Sequence, residues 1–257
     1  MAGHACGTIG LPDTRAEANP MNRVLMSSIL TASLLLGVAI DPALALDRKA
    51  PKDVDAGAFS QDTQATQMGP GDDFSMFWWI PVEFWEASAA KQGNAADASF
   101  IKVLRPYVLV GVVRAKVSDL GAFRFASRED LAASLRVSYE KPGARPVPLV
   151  AVEDVDPDVN IILGSLRPIL ANAIGKMGES MYFFTLTDSV EDGATAISPY
   201  EPGALRFTMA GSEPGTTINA AIEMPVNALF VPRVCPNGKP AHVSWKVCPW
   251  DGTALKP

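Results

Sequence analysis

Apolar and polar residues alternate in several parts of the chain, which is the pattern of a half-buried β-strand. Val113, Ala115 and Val117 alternate with basic residues, and the same pattern covers residues 205–209 and 218–224. Turn-forming residues separate these runs from one another. Further short strands are predicted at residues 123–125, 135–139, 147–153 and 182–186.

One segment has helical rather than strand periodicity. Apolar residues recur in pairs about every four positions across residues 161–177, which predicts the longest helix of the chain. Asp158 is expected to cap its N-terminus. Pro168 predicts a kink, and Gly175 or Gly178 is expected to end the helix.

The remaining elements complete the predicted fold. Pro81 suits the first position of a helix that runs to residue 91, and a second short helix is expected over residues 95–104. Residues 46–73 are polar and are expected to form a flexible linker. We therefore predict an α+β fold that is mainly β. It comprises an antiparallel β-sandwich with one long inserted helix, short N-terminal helices and a small C-terminal tail.

Residues 21–45 have the three parts of a cleavable signal peptide. Arg23 supplies the positive charge, residues 24–40 form the apolar stretch, and residues 42–45 end it with small residues at the cleavage site. The alternative is an uncleaved membrane anchor. Residues 1–20 are interpreted as untranslated, with an extended N-terminal region as the alternative. We expect a periplasmic or secreted protein, cleaved near Ala45.

Composition narrows the possible partners of the processed chain. The full chain has a net charge of −6, and removal of residues 1–45, with two basic and three acidic residues, leaves −5. Basic residues are not clustered, which argues against nucleic acid. No second apolar run is long enough to span a membrane. We expect residues 74–232 to form the β-rich domain and residues 233–257 a cysteine module. The partner is expected to be an unidentified protein or small ligand.

The cysteine module carries the most informative motif. Cys235 and Cys248 are each followed by proline, and Trp245-Lys246 leads into the second cysteine. This pattern resembles a zinc ribbon, in which two Cys-x-x-Cys turns hold one zinc ion. Gly238 and Asp251 stand where that family has its other two cysteines.

Three states of the two cysteines follow from this resemblance and from the predicted export. A disulfide between Cys235 and Cys248 is one. Zinc bound by Cys235, His242, Cys248 and Asp251 is the second, and free thiols are the third. No cofactor is expected unless zinc binds. The chain is also similar to uncharacterised exported bacterial proteins that combine this ending with an aromatic segment like residues 79–85.

That aromatic segment contains Trp78, Trp79, Phe84 and Trp85. Such a cluster either fills one end of a sandwich core or forms an exposed binding platform. Glu83 and Glu86 lie nearly one helical turn apart beside it and could share a cleft.

Other catalytic and metal motifs are incomplete. Ser99–Lys102 and Ser138–Lys141 match the Ser-x-x-Lys motif without its partner motifs. The acidic run 154–160 begins like a calcium loop but lacks the later glycine and glutamate. We expect an exported accessory or binding protein without a recognisable catalytic site. A hydrolase acting through the carboxylates near the aromatic segment is the alternative, and a metal-binding protein is another.

Overall fold

The computed structural model describes residues 46–94, 97–187 and 197–255. The predicted signal peptide and the twenty residues before it lie outside this part of the chain. All described residues belong to one compact unit. Its helices are α1 Ala56–Asp62, α2 Val82–Lys91, α3 Ala98–Leu104, α4 Arg128–Ser134, α5 Pro157–Ile174 and α6 Lys176–Glu179. Its strands are β1 Gln64–Gly69, β2 Asp73–Trp79, β3 Val108–Val117, β4 Phe123–Phe125, β5 Arg136–Glu140, β6 Val147–Pro148, β7 Val150–Ala151, β8 Tyr182–Thr187, β9 Gly203–Ala210, β10 Thr217–Met224, β11 Arg233–Val234 and β12 Pro240–Ala241.

The strands form two main antiparallel sheets and one small ribbon. The large sheet has the order β1-β2-β3-β8-β7, with β4 paired to the end of β3. The second sheet has the order β10-β9-β5-β6, and β11 pairs with β12. The α+β class with mainly antiparallel strands is therefore confirmed. The predicted strands at residues 205–209 and 218–224 lie within β9 and β10.

The main core lies between the two sheets. Alternate residues of β9 and β10 point into it, as their alternating pattern predicts. Strand β3 is buried on both faces, with Val110 in this core and Val113 on the opposite side. Phe77 of β2 stacks on Phe207 of β9 with ring centroids 4.9 Å apart. Because both rings are buried, this contact ties one sheet to the other.

Helices cover the other face of the large sheet and enclose a second core. Val159, Leu163 and Leu166 of α5 bury one side of that helix. They pack against residues of the sheet such as Leu109 and Val113. The second sheet, the large sheet and helices α3 and α5 follow one another as three layers, whereas α1 and α4 bury Phe59 and Leu131 in the main core.

Helix α5 agrees with the predicted long helix except at its start. Asp156, not Asp158, is the N-cap, and its carboxylate accepts a hydrogen bond from the Asp158 amide. Pro157 occupies the first helical turn, where no amide is needed. Pro168 lies inside the helix, and Gly175 follows its last residue with a φ of 61°. No helix in the described ranges is both long and apolar enough to cross a bilayer.

The predicted flexible linker is wrong, because residues 51–69 are structured. They form a 3₁₀ turn at residues 51–53, helix α1 and strand β1. Phe59 of α1 is fully buried in the main core, and Val54 is 4% exposed. Strand β1 reads as polar because it is an edge strand with one buried residue, Ala65.

Two further elements differ from the sequence prediction. Helix α4 begins at a capping box in which Ser127 and Asp130 bond each other's backbone amides. The single strand expected over residues 147–153 is split, since β6 joins the second sheet and β7 joins the large one. Its start therefore pairs with β5, and its end pairs with β8.

The first described residues pair with a segment just before the cysteine module. The Val231 amide donates to the Asp47 carbonyl at 2.8 Å, and the Lys49 amide donates to the Leu229 carbonyl at 2.9 Å. The module itself is attached to the same region. Val243 is buried in the main core, and its amide donates to the side chain of Asn227 at 2.9 Å.

Candidate functional site

The aromatic segment lies in the interior. Trp78 and Trp79 are 4% and 3% exposed, because they point to opposite faces of β2. Phe84 meets Trp78 edge-to-face at 5.5 Å and Trp85 at 5.9 Å. These rings join the two cores, as the core interpretation expects, and they offer no exposed aromatic platform.

Glu83 lies in the first turn of α2 and borders a small cavity. The cavity has a volume of about 180 Å³ and is also lined by Trp79, Arg105 and Tyr107. Burial raises the pKa of the Glu83 carboxyl, and the nearby Glu86 raises it further. A carboxyl with a raised pKa inside a cavity is a feature of general acids.

Glu86 faces a second, larger cavity of about 680 Å³ between α2 and α3. Its Oε1 atom lies 3.9 Å from the guanidinium of Arg105, which lines both cavities. Lys52 and Lys102 also border the larger cavity. The two carboxylates therefore line neighbouring cavities that share one arginine, rather than a single cleft.

Tyr200 belongs to the same electrostatic group. Burial raises the pKa of its hydroxyl to about 12, and the charges of Glu83 and Glu86 act in the same direction. The guanidinium carbon of Arg48 lies 4.1 Å above the Tyr200 ring. The phenol is therefore neutral and able to donate a hydrogen bond at physiological pH.

The cysteine module consists of two similar tight turns. The Gly238 amide donates to the Cys235 carbonyl, and the Gly252 amide donates to the Cys248 carbonyl, both at 2.9 Å. Both glycines have the left-handed backbone that such turns need, with φ of 80° and 73°. In the second turn, the Asp251 carboxylate accepts from the Thr253 amide at 2.9 Å.

The two cysteines lie side by side in a small buried cluster with Ala241 and Leu255. Both are free thiols in the structure. Burial raises the pKa of Cys235 to about 11, and a hydrogen bond with Cys248 contributes in the same direction. The pKa of Asp251 is lowered, first by the Thr253 amide and then by hydrogen bonds from the Thr253 and Cys248 side chains.

His242 has its own partners away from the thiols. Its Nδ1 atom lies 2.7 Å from the Ser244 hydroxyl, and its ring is tilted against Trp245 at 6.1 Å. Burial lowers its pKa. Among the described residues, no three side chains of the metal-ligating types converge on one point. The four proposed zinc ligands Cys235, His242, Cys248 and Asp251 are therefore not assembled in this structure.

An exposed apolar surface covers the outside of the module. Trp245, Val247 and Trp250 are 38%, 52% and 48% exposed, and we call this surface the tryptophan face. The two indoles meet edge-to-face at 5.9 Å. The Lys239 ammonium lies 5.0 Å from the Trp250 ring centre, within cation–π range.

Sequence reasoning missed this surface. Trp245 reads as part of the zinc-ribbon pattern, and Trp250 follows the proline of the second turn. Trp245 alternates with Ser244 and Lys246 between Val243 and Val247, a pattern that predicts a half-buried strand, and Trp250 alone lies outside such a pattern. The residue pattern alone therefore does not distinguish this surface from a buried strand, and its exposure is seen only in the structure.

The incomplete catalytic and calcium motifs serve local structure. Asp97 caps α3 by accepting from the Ser99 amide and hydroxyl. Ser138 lies in β5, and Asp156 and Asp158 form the start of α5.

Comparisons with protein-family models, with curated proteins and with solved structures found no match for the chain.

Proposed function

We propose that the chain is an exported accessory protein that binds a partner protein through the tryptophan face. The observation that carries the proposal is the exposed pair Trp245 and Trp250. Exposed apolar patches mark interaction sites, and tryptophan is enriched where binding energy is concentrated. The second tight turn carries Trp250, and the Trp245 amide donates to the His242 carbonyl at 3.0 Å. Both indoles therefore stand on ordered backbone, which lowers the entropy lost on binding.

The chemistry of the face defines the kind of partner. Lys239 lies over Trp250, and Lys246 falls between the two tryptophans in sequence. The expected partner surface therefore combines an apolar patch with acidic side chains near its rim.

Site-specific crosslinking in the producing cells tests this proposal. A photoreactive amino acid at position 247 leaves both indoles in place, and one at the 95% exposed position 120 is the matched control. We expect one discrete protein adduct from position 247 that disappears in Trp250→Ala. Adducts that are absent, shared with position 120 or unaffected by Trp250→Ala would refute the proposal.

A glycan is the competing ligand, because sugars also stack on exposed indoles. Titration with glucose and N-acetylglucosamine oligosaccharides, followed by tryptophan fluorescence, separates the two. Quenching that is lost in both Trp245→Ala and Trp250→Ala would replace the partner protein with a sugar. No quenching is expected.

Export and processing are supported by the signal-peptide pattern of residues 21–45. N-terminal sequencing of the protein recovered from the periplasm or medium should begin at Leu46. A recovered protein that retains residues 21–45 would refute cleavage.

In an oxidising compartment, the adjacent thiols of Cys235 and Cys248 are expected to join. Each thiol loses its proton, one sulfur–sulfur bond forms, and two electrons pass to a disulfide of an oxidoreductase, which becomes a dithiol. The intact mass should therefore rise by two hydrogen atoms on reduction. An unchanged mass would favour the free thiols, and zinc that co-purifies in equimolar amount would favour the metal.

A second candidate function is hydrolysis with Glu83 as the acid. The cavity that holds its carboxyl beside Arg105 favours this alternative. Glu83→Gln should abolish any activity found in a panel of chromogenic esters, peptides and glycosides. Activity that survives this substitution, or no activity in the wild type, counts against it.

A further inference from the structure

A cleft runs along the edge of β8, and none of its lining residues belongs to the tryptophan face. Its volume of about 440 Å³ is within the usual range of ligand pockets. Helix α5 forms one wall through Leu163 and Gly164, and α4 contributes Arg128 and Ala132. Phe183 of β8 lies between these two helices in the lining of the cleft.

Among the residues that the structure describes, the strand edge in this cleft is open. β3 covers one edge of β8 along most of its length, but β7 pairs only with Leu186 and Thr187 on the other. The last bond of that ladder runs from the Val152 amide to the Thr185 carbonyl at 3.0 Å. The chain then departs to begin α5 at Pro157.

Alternate residues of a strand direct their backbone groups to the same edge. The Thr185 carbonyl points to the β7 side, so the N–H and C=O groups of Phe183 point there as well. An open edge of this kind can pair with an added strand.

Two arginines give the cleft a positive charge. The Arg128 guanidinium lies 5.2 Å from the ring centre of Phe184, and the Arg167 guanidinium lies 5.2 Å from that of Tyr182. Within the described ranges, neither forms a salt bridge. No aspartate or glutamate is among the described residues that line the cleft.

The rings beneath the arginines are neighbours. Tyr182 and Phe184 are two residues apart in one strand, so their side chains leave the same face of the sheet. Guanidinium groups bind carboxylates through paired hydrogen bonds. Asn160 and Thr185 add uncharged polar side chains to the lining.

We infer that this cleft binds an extended peptide segment of another protein by strand addition to β8. Phe183 supplies the backbone hydrogen bonds, and Arg128 and Arg167 hold a carboxylate of the peptide. An extended segment fits better than a small anion, because the cleft is also lined by the apolar side chains of Val152, Val155 and Leu163.

Affinity selection from two random hexapeptide libraries tests the inference. One library has free C-terminal carboxylates and acidic side chains, and the other is amidated and lacks aspartate and glutamate. We expect enrichment only from the first. An enriched peptide is then resynthesised with either its terminal carboxylate or its side-chain carboxylates blocked. The loss of binding identifies the carboxylate that the arginines hold.

Charge variants then locate the site. Arg128→Gln and Arg167→Gln should each weaken the enriched peptide about tenfold, the scale of one charge-assisted hydrogen bond. Arg124→Gln removes the same charge from exposed β4 and is the matched control, with unchanged affinity expected. Equal weakening by all three substitutions would indicate a general charge effect and overturn the inference.

A steric variant tests the cleft without changing charge. No atom lies within 4 Å of a Cβ built on Gly164, so Gly164→Leu should fold and fill the space beside β8. It should abolish peptide binding while the thermal transition is retained. Undiminished binding by this folded variant would place the peptide elsewhere.

The strand-addition step has its own readout. Hydrogen exchange of the Phe183 amide should slow on binding, and single N-methylation of the peptide backbone should abolish binding at one position. Three outcomes would overturn the inference. They are failure of both libraries to enrich, acetate binding as tightly as the peptide with unchanged Phe183 exchange, and a dimer of the chain that already protects Phe183.

Discussion

The burial of Phe59 predicts that a polar N-terminal segment is part of the folded core. Phe59 is fully buried in α1, and its ring meets Phe84 edge-to-face at 6.1 Å. If residues 46–73 were a flexible linker, the substitution Phe59→Ala would change stability by no more than about 0.5 kcal/mol.

The expected cost is much larger. A phenylalanine buries about 150–250 Å², which corresponds to roughly 4–6 kcal/mol at 25 cal/mol per Å². This is an upper bound, since unfolded chains already bury some surface. Measured substitutions of this type cost about 3–5 kcal/mol, and we expect Phe59→Ala to fall in that range.

Urea unfolding followed by circular dichroism measures the effect. With a slope near 3 kcal/mol per M, the midpoint should fall by roughly 1–1.7 M. Phe59→Leu retains most of the volume and should cost less than about 1.5 kcal/mol, so it stays measurable if the alanine variant does not fold.

Met68→Ala is the matched control in the same segment, because Met68 is 64% exposed. It should change the free energy of unfolding by less than about 0.5 kcal/mol. If Phe59→Ala were as mild as Met68→Ala, the placement of α1 in the core would be refuted.

Three further predictions concern glycine packing and titration. Gly178→Ala should destabilise the protein by about 1–3 kcal/mol, because the added Cβ would lie 2.2 Å from the Leu170 backbone. Gly164→Ala places its Cβ in open space and should stabilise the protein by up to about 1 kcal/mol, so equal effects of the two substitutions would contradict the prediction. Burial raises the pKa of Glu83 above 4.5, so its protonated carboxyl makes its full contribution to the free energy of unfolding below pH 4.5, and this contribution is lost as pH rises through the raised pKa. The free energy of unfolding of Glu83→Gln should lack this decline, and parallel pH curves for the two proteins would refute it. In reduced protein, the pKa of Cys235 is raised from 9.0 to about 11, so the stability linked to its protonated thiol is lost as pH rises through that interval. Alkylation of Cys235 by iodoacetamide should accelerate only in the same pH interval, and rapid alkylation at neutral pH would contradict the raised pKa.

The predictable part of the fold is the part with a regular apolar period. Strands β9 and β10 follow from strict alternation, and α5 follows from its four-residue repeat. Strand β1 was missed because an edge strand needs few apolar residues. Helix α4 was missed because a seven-residue helix held by a capping box has too few turns to show a period.

The candidate sites depend on contacts that no local pattern encodes. The core position of Trp78 and Trp79 agrees with their apolar surroundings, and their burial could be expected from composition. The arginines of the β8 cleft lie 39 positions apart, as the numbers of Arg128 and Arg167 show. They meet only because α4 and α5 approach the same strand, which requires the tertiary structure.

The pairing of residues 47–49 with residues 229–231 sets an order of events during biosynthesis. The Asp47 carbonyl receives its partner only when Val231 has left the ribosome. Closing so long a loop is entropically costly before the intervening contacts exist. Residues 47–49 must therefore wait for residues 229–231 before they pair, and a truncated chain that ends before Leu229 cannot complete the native fold.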